Sequence, residues 1–129
     1  MSVEITFKAN PQELVASLYG NLVDAAWRVL KENIIPQEPI DTSSTRDATV
    51  MREHTHTEVK VVGGGISVVF FVGSEIWYSW YTEFPETHPS LTYGPRTPGT
   101  RMPWLKPGVQ EGMPIIIKAA QDALKDWSG

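Results

Sequence analysis

Two histidines one residue apart, His54 and His56, are the first side chains that could do chemistry. On a strand they share one face, with Glu58 next in line and His88 further along to complete a metal site. The competing reading is a solvated strand face that carries histidine. It is the stronger one, because neither a His-Glu-x-x-His pattern nor a third ligand at a telling spacing accompanies the pair. Gly63-Gly64-Gly65 lacks the Lys-Ser/Thr of a phosphate loop and leads into a strand, so it reads as a hairpin turn that needs positive φ. For nucleophilic catalysis the chain has no cysteine, no Gly-x-Ser-x-Gly and no serine near a placed histidine. Glu83 and Glu86 flank Pro85, and adjacency in a loop sets up no acid–base geometry. The expectation is a protein that is not an enzyme, with no catalytic residue, metal or cofactor.

The aromatic block is the strongest local signal. Trp77, Tyr78, Trp80, Tyr81 and Phe84 crowd into residues 76–84. On a short helix capped by Ser74 and stopped by Pro85, Trp77 would stack near Tyr81 and Trp80 near Phe84. Such a helix is apolar around most of its circumference. Some of these rings must pack in the core, and at least one Trp or Tyr face should remain for a partner. A sugar- or receptor-binding platform using Trp77, Trp80 and Tyr93 is the alternative from a different functional class.

Around this block the elements can be read in order. Val3, Ile5 and Phe7 alternate with Glu4, Thr6 and Lys8, which predicts a half-buried strand over 2–8. Asn10 can cap a helix, Pro11 fits its first position and Glu13 suits a capping box. Leu14, Val15, Leu18, Leu22, Ala26, Val29 and Leu30 then hold one helical face, to about Asn33, before Pro36 and Pro39. Residues 48–62 read as extended, with a polar first half at an edge or on a projecting arm and 59–62 entering the core. A hairpin follows, its second strand carrying Ile66, Val68, Phe70 and Val72 on one face and Ser67, Val69 and Phe71 on the other. A strand apolar on both faces is either covered twice or meets another subunit. Residues 85–103 are broken by Pro85, Pro89, Pro95, Pro98 and Pro103 and read as a long loop. Pro107 opens a last helix, with Val109, Met113, Ile116, Ile117, Ala120, Leu124 and Trp127 as its apolar stripe. The stripe keeps its phase across Pro114, so one helix is expected there.

A chain of 129 residues is one domain's worth, long enough for a real core. With 41% hydrophobic and 20% charged residues it is ordinary for a globular protein. The absence of cysteine excludes disulfides and thiolate metal sites and suits a reducing cytosol. No apolar run approaches a bilayer span, and the first residues do not read as a secretory signal. A net charge of −4 without a basic cluster argues against gripping nucleic-acid phosphates. It does fit a surface that DNA must slide past without sticking.

Three segments, in order, resemble the small neck proteins of long-tailed bacteriophages, a family of tail-completion, head–tail joining or minor capsid proteins. Tyr78-Ser-Trp-Tyr81-Thr-Glu83-Phe84 is similar to the family's Tyr-Ala-x-Tyr-x-Glu-Phe-Gly. Pro39-Ile-Asp41-Thr42-Ser43-Ser-Thr45-Arg46-Asp resembles its Pro-x-Asp-Thr-Gly-x-Leu-Arg-x-Ser. Arg101-Met-Pro103-Trp104-Leu105-Lys-Pro107 resembles its Pro-x-Phe-Leu-x-Pro-Ala lead into the last helix. The two long helices also fall where the family places them, so the likeness covers nearly the whole chain. Ser43, Thr45 and Pro85 depart from the pattern, standing for a usual glycine, leucine and glycine.

Asp41 and Thr42 can cap a turn from helix to sheet. Arg46 would meet an acid, Glu83, and Tyr78 and Phe84 complete the structural motif. Trp104 and Leu105 form an apolar plug that seats the last helix. The resemblance implies a virion protein, made in the host cytoplasm, that forms a ring at the head–tail junction against neck, portal or tail-tube proteins. DNA would pass nearby without specific binding, and no membrane is involved. Val69, Phe71, Trp77, Trp80, Tyr81 and Trp104 would then lie at subunit contacts. The expected fold is a single α+β domain over 1–129. It has a small antiparallel sheet of three or four strands, with a long N-terminal and a long C-terminal helix packed on one face.

Overall fold

A computed structural model describes residues 2–9, 11–38, 50–73 and 103–128. Strand β1 spans Ser2–Lys8 and is followed by helix α1, Gln12–Val29. That helix widens into a π-helical turn, Leu30–Ile34, and tightens into a 3-10 turn, Ile35–Gln37. A short helix α2, Val50–Glu53, precedes strand β2, Thr55–Val62. Strand β3, Gly65–Val72, completes the hairpin, and helix α3 runs over Leu105–Ser128. The sheet is antiparallel in the order β1-β3-β2, and the two long helices cover one face of it.

Register explains which face is covered. Ile5, Val68 and Val59 form one cross-strand row, and Val3, Phe70 and Thr57 the next. Together with Ile66 and Val72 these side chains point at the helices, where Ile66, Val68 and Phe70 are completely buried. On the other face Glu4 and Glu58 flank Val69, while Thr6 and Lys60 flank Ser67. The hydroxyls of Thr6 and Ser67 lie 2.9 Å apart and share a hydrogen bond.

The hairpin turn needs its glycines. Gly64 has φ of 77°, and a Cβ on Gly65 would sit 2.1 Å from the Phe7 carbonyl oxygen across the β1 ladder. Only the second position of the turn requires the left-handed region, and the third requires bare backbone.

Helix α1 begins one residue later than the proline spacing suggests. Pro11 occupies the extended position before the helix, and its carbonyl accepts hydrogen bonds from the amides of Leu14 and Val15 at 3.0 and 3.3 Å. The run continues past Asn33, because the π and 3-10 turns change the hydrogen-bond register and admit Pro36 without a helical N–H. Residues 48–62 also differ from a continuous extended segment. A helical turn intervenes at Val50–Glu53, the polar end of β2 is the buried one at Thr55, and Val61 and Val62 are exposed. Thr55 is buried because its hydroxyl meets Glu38, in the turn that ends the α1 run.

Helices α1 and α3 pack antiparallel. The Asn21 side-chain amide donates to the Ala119 carbonyl at 3.2 Å and the Ser17 hydroxyl to the Ala123 carbonyl at 3.4 Å. The seam is made of small residues. A Cβ at Gly112 would stand 2.4 Å from a Val29 methyl, and one at Gly108 would stand 2.8 Å from the Asn33 carbonyl oxygen. The α3 stripe is therefore shifted from the expected one. Leu105, Gly108, Val109, Gly112, Ile116 and Ala123 are buried, while Ile117, Leu124 and Trp127 face outward. Pro107 sits in the first turn, and the helix passes Pro114 unbroken with that proline exposed, where water can serve the orphaned Gln110 carbonyl.

Two glycine-to-alanine changes should have opposite signs. Gly20 lies in the interior of α1 with open space where a Cβ would stand, so Gly20→Ala should stabilise by about 0.5–1 kcal/mol. Gly112→Ala must displace the buried, β-branched Val29 and should destabilise by about 1–3 kcal/mol despite the same propensity gain. Urea unfolding midpoints of the two variants would check both signs.

Candidate interaction surface

The outer side of α1 carries Tyr19, Val23 and Trp27 at four-residue spacing, on the face that overhangs β2. With Thr57, Glu58 and Val59 they line an open cleft of about 300 Å³ beside the sheet edge. Tyr19 is 44% exposed, Trp27 47% and Val61 65%, so this apolar cluster is left over after the core has closed. Among the described residues β2 pairs only with β3, which leaves its other ladder edge open.

A second apolar groove lies on the other side of the helix layer, beside β1. Phe7, Leu14, Leu18, Ile117, Ala120 and Leu124 enclose about 240 Å³, with Lys8 and Gln121 at its rim. Ile117 and Leu124 are about half exposed, and Trp127 follows on the same helix. These are side chains that helical periodicity assigns to the core. The glycine–alanine seam draws α3 onto α1 along a neighbouring line and turns them outward.

One buried ionisable group holds the chain's turn onto the sheet. Glu38 is completely buried, and the Thr55 hydroxyl donates to its Oε1 at 2.7 Å. Its Oε2 has no partner among the described residues. Arg52 braces the same corner by donating to the backbone carbonyl of Glu38 at 2.8 Å and to that of Pro36 at 3.2 Å. Burial pushes the Glu38 carboxyl up to about 8, against the opposing influence of the Thr55 hydrogen bond and the Arg52 charge. The arrangement is a polar staple between the end of the α1 run and the start of β2. No sequence motif marks it, since Glu38 between Gln37 and Pro39 reads as a surface residue.

The expected site residues divide into three groups. Trp104 is fully buried beside Leu105, as a plug under the last helix must be, so it is closed to any subunit contact. Val69, expected at a contact because its strand face is apolar, is only 8% exposed and is likewise closed. Phe71 is half-buried and packs against the His56 ring at 5.7 Å between centroids. Trp77, Trp80, Tyr81, Asp41, Thr42, Arg46, Tyr78, Glu83 and Phe84 lie outside the described residues, as do the expected short helix and long loop.

His54 stands in the turn before β2 and its carbonyl accepts from the Gly73 amide at 2.8 Å. Among the described residues no three His, Cys, Asp or Glu side chains gather as metal ligands, and no helix is long and apolar enough to cross a membrane. Comparison of the chain with protein-family models, curated proteins and solved structures gives no match.

Glu38 makes stability depend on pH in a definite direction. Its carboxyl ionises near 4.5 when exposed and near 8 when folded, so between these values the unfolded chain binds fewer protons. The stabilisation from the protonated, buried form is complete below about 4.5 and is lost as pH rises through about 8. Urea unfolding at pH 5 and pH 8 should show wild type losing more stability than Glu38→Gln, which cannot ionise; equal losses would count against the assignment.

Proposed function

We propose that this chain is a structural assembly protein of a tailed phage, part of the head–tail connector or tail-completion ring. The observation that carries the reading is the surplus of apolar surface. Trp104, Phe70, Leu22 and Ile116 fill the interior, and yet Tyr19, Trp27 and Val61 on one side and Ile117, Leu124 and Trp127 on the other remain in solvent. Two such surfaces on opposite sides of one α+β frame, one beside β2 and one beside β1, suit a subunit held by neighbours on both sides. The three motif likenesses, in order along the chain, supply the phage neck as the setting. The mild acidity supports it, since a net charge of −4 lets DNA pass without adhesion.

In this reading the contacts move from Val69 and Trp104 to the helix-borne aromatic and aliphatic side chains. The virion is the final location and the host cytoplasm the place of assembly, and the role calls for no cofactor. Particles produced without this protein should accumulate as filled heads and free tails under the electron microscope. Normally joined particles would end the proposal.

A further inference from the structure

Strand β2 uses one ladder edge for β3 and, among the described residues, leaves the other open. Read outward from Val59, this strand is complementary to itself, with Glu58 on one side and Lys60 on the other. Alternation puts both charges on the face away from the helices, while Thr57, Val59 and Val61 stand on the helix side. Both charged side chains are exposed, and neither has an ion-pair partner among the described residues.

We propose that β2 is a two-fold joint, in which the β2 edges of two copies pair antiparallel about Val59 and join the two three-stranded sheets into one. In that register Glu58 lies opposite Lys60 of the partner subunit, and Lys60 opposite the partner's Glu58. Directly opposite residues in an antiparallel pair stand about 4.5–5.5 Å apart at Cβ, within reach of a carboxylate and an ammonium group. On the helix side Val59 meets the partner's Val59, and Thr57 meets the partner's Val61.

The same pairing covers Val61 and brings the Tyr19–Trp27 cleft of each copy over the shared edge, because that cleft is lined by Thr57, Glu58 and Val59. An isologous contact requires each patch to complement itself. Opposite charges placed symmetrically about one residue meet that requirement, whereas two like charges would repel their own copies. A lone edge lysine ordinarily keeps strands apart. Here the glutamate two residues before it turns that guard into a pairing code.

The joint does not rest on the assembly reading: a two-fold contact closes on itself while a ring needs a head-to-tail contact, so the Val61 and Tyr19–Trp27 surface serves one or the other at a time. A chain that pairs through β2 and is dispensable for joining heads to tails would separate the two. Sedimentation velocity from micromolar to millimolar concentration at low salt tests the joint, with circular dichroism to verify folding. Wild type should dimerise with rising concentration. Glu58→Lys alone and Lys60→Glu alone should each weaken pairing by about tenfold or more, since both cross-strand contacts become repulsive.

An equimolar mixture of the two variants should restore the dimer, because every facing pair is then opposite in sign. The double variant Glu58→Lys/Lys60→Glu should restore it as well. A wild type that stays monomeric throughout, a dimer indifferent to both single changes, or a mixture no tighter than its components would overturn the proposal.

Discussion

Strand β3 pairs along its length with β1 on one side and β2 on the other, so the backbone groups of Gly65–Val72 are claimed in both directions. A strand in that position can be apolar on both faces without meeting another molecule. On the helix side Ile66, Val68 and Phe70 enter the core directly. On the far side Val69 lies between two glutamates and Ser67 between Thr6 and Lys60, flanked by longer or polar side chains from both neighbours. Central placement also makes edges of β1 and β2 among the described residues, and so decides which backbone stays open.

The helices obey a different constraint. Gly108 and Gly112, one helical turn apart, let α3 approach the end of α1 to distances that exclude a methyl group. Close approach at that end, with Asn21 and Ser17 bonded to α3 carbonyls further along, aligns the helix pair as one layer over the sheet. The π turn contributes to the same contact, since the Asn33 carbonyl and Ile34 stand against Gly108. A layer positioned by small residues leaves larger ones beside the seam uncovered. The apolar groove around Ile117 and Leu124 is a consequence of that packing.

Glu38 shows how the layers are tied. The turn that ends the α1 run must lie over β2, and a fully buried carboxyl hydrogen-bonded to Thr55 accomplishes this at the expense of carrying a proton at neutral pH. Arg52 satisfies the carbonyls of the same turn from the other side. An ionisable group in such a place makes the junction between helix layer and sheet responsive to pH.

Period-two alternation in 2–8, the apolar run and glycine turn of the hairpin and the helical spacing from Leu14 to Leu30 determined the α+β class, the pairing of β2 with β3 and the face of α1, because each is a local pattern; the pairing of β1 with β3 is long-range and was not among them. The apolar plug at Trp104 and Leu105 was legible in the same way, from two large side chains clamped by prolines at the start of a helix. What depended on tertiary structure was which of several equally hydrophobic residues would be covered. Val69 went inside, while Tyr19, Trp27, Ile117 and Leu124 stayed out. Composition carries no record of where one helix touches another, and here two glycines set that line. The Glu38 staple was equally hidden, since a glutamate becomes buried and protonated only when residues distant in the chain close around it.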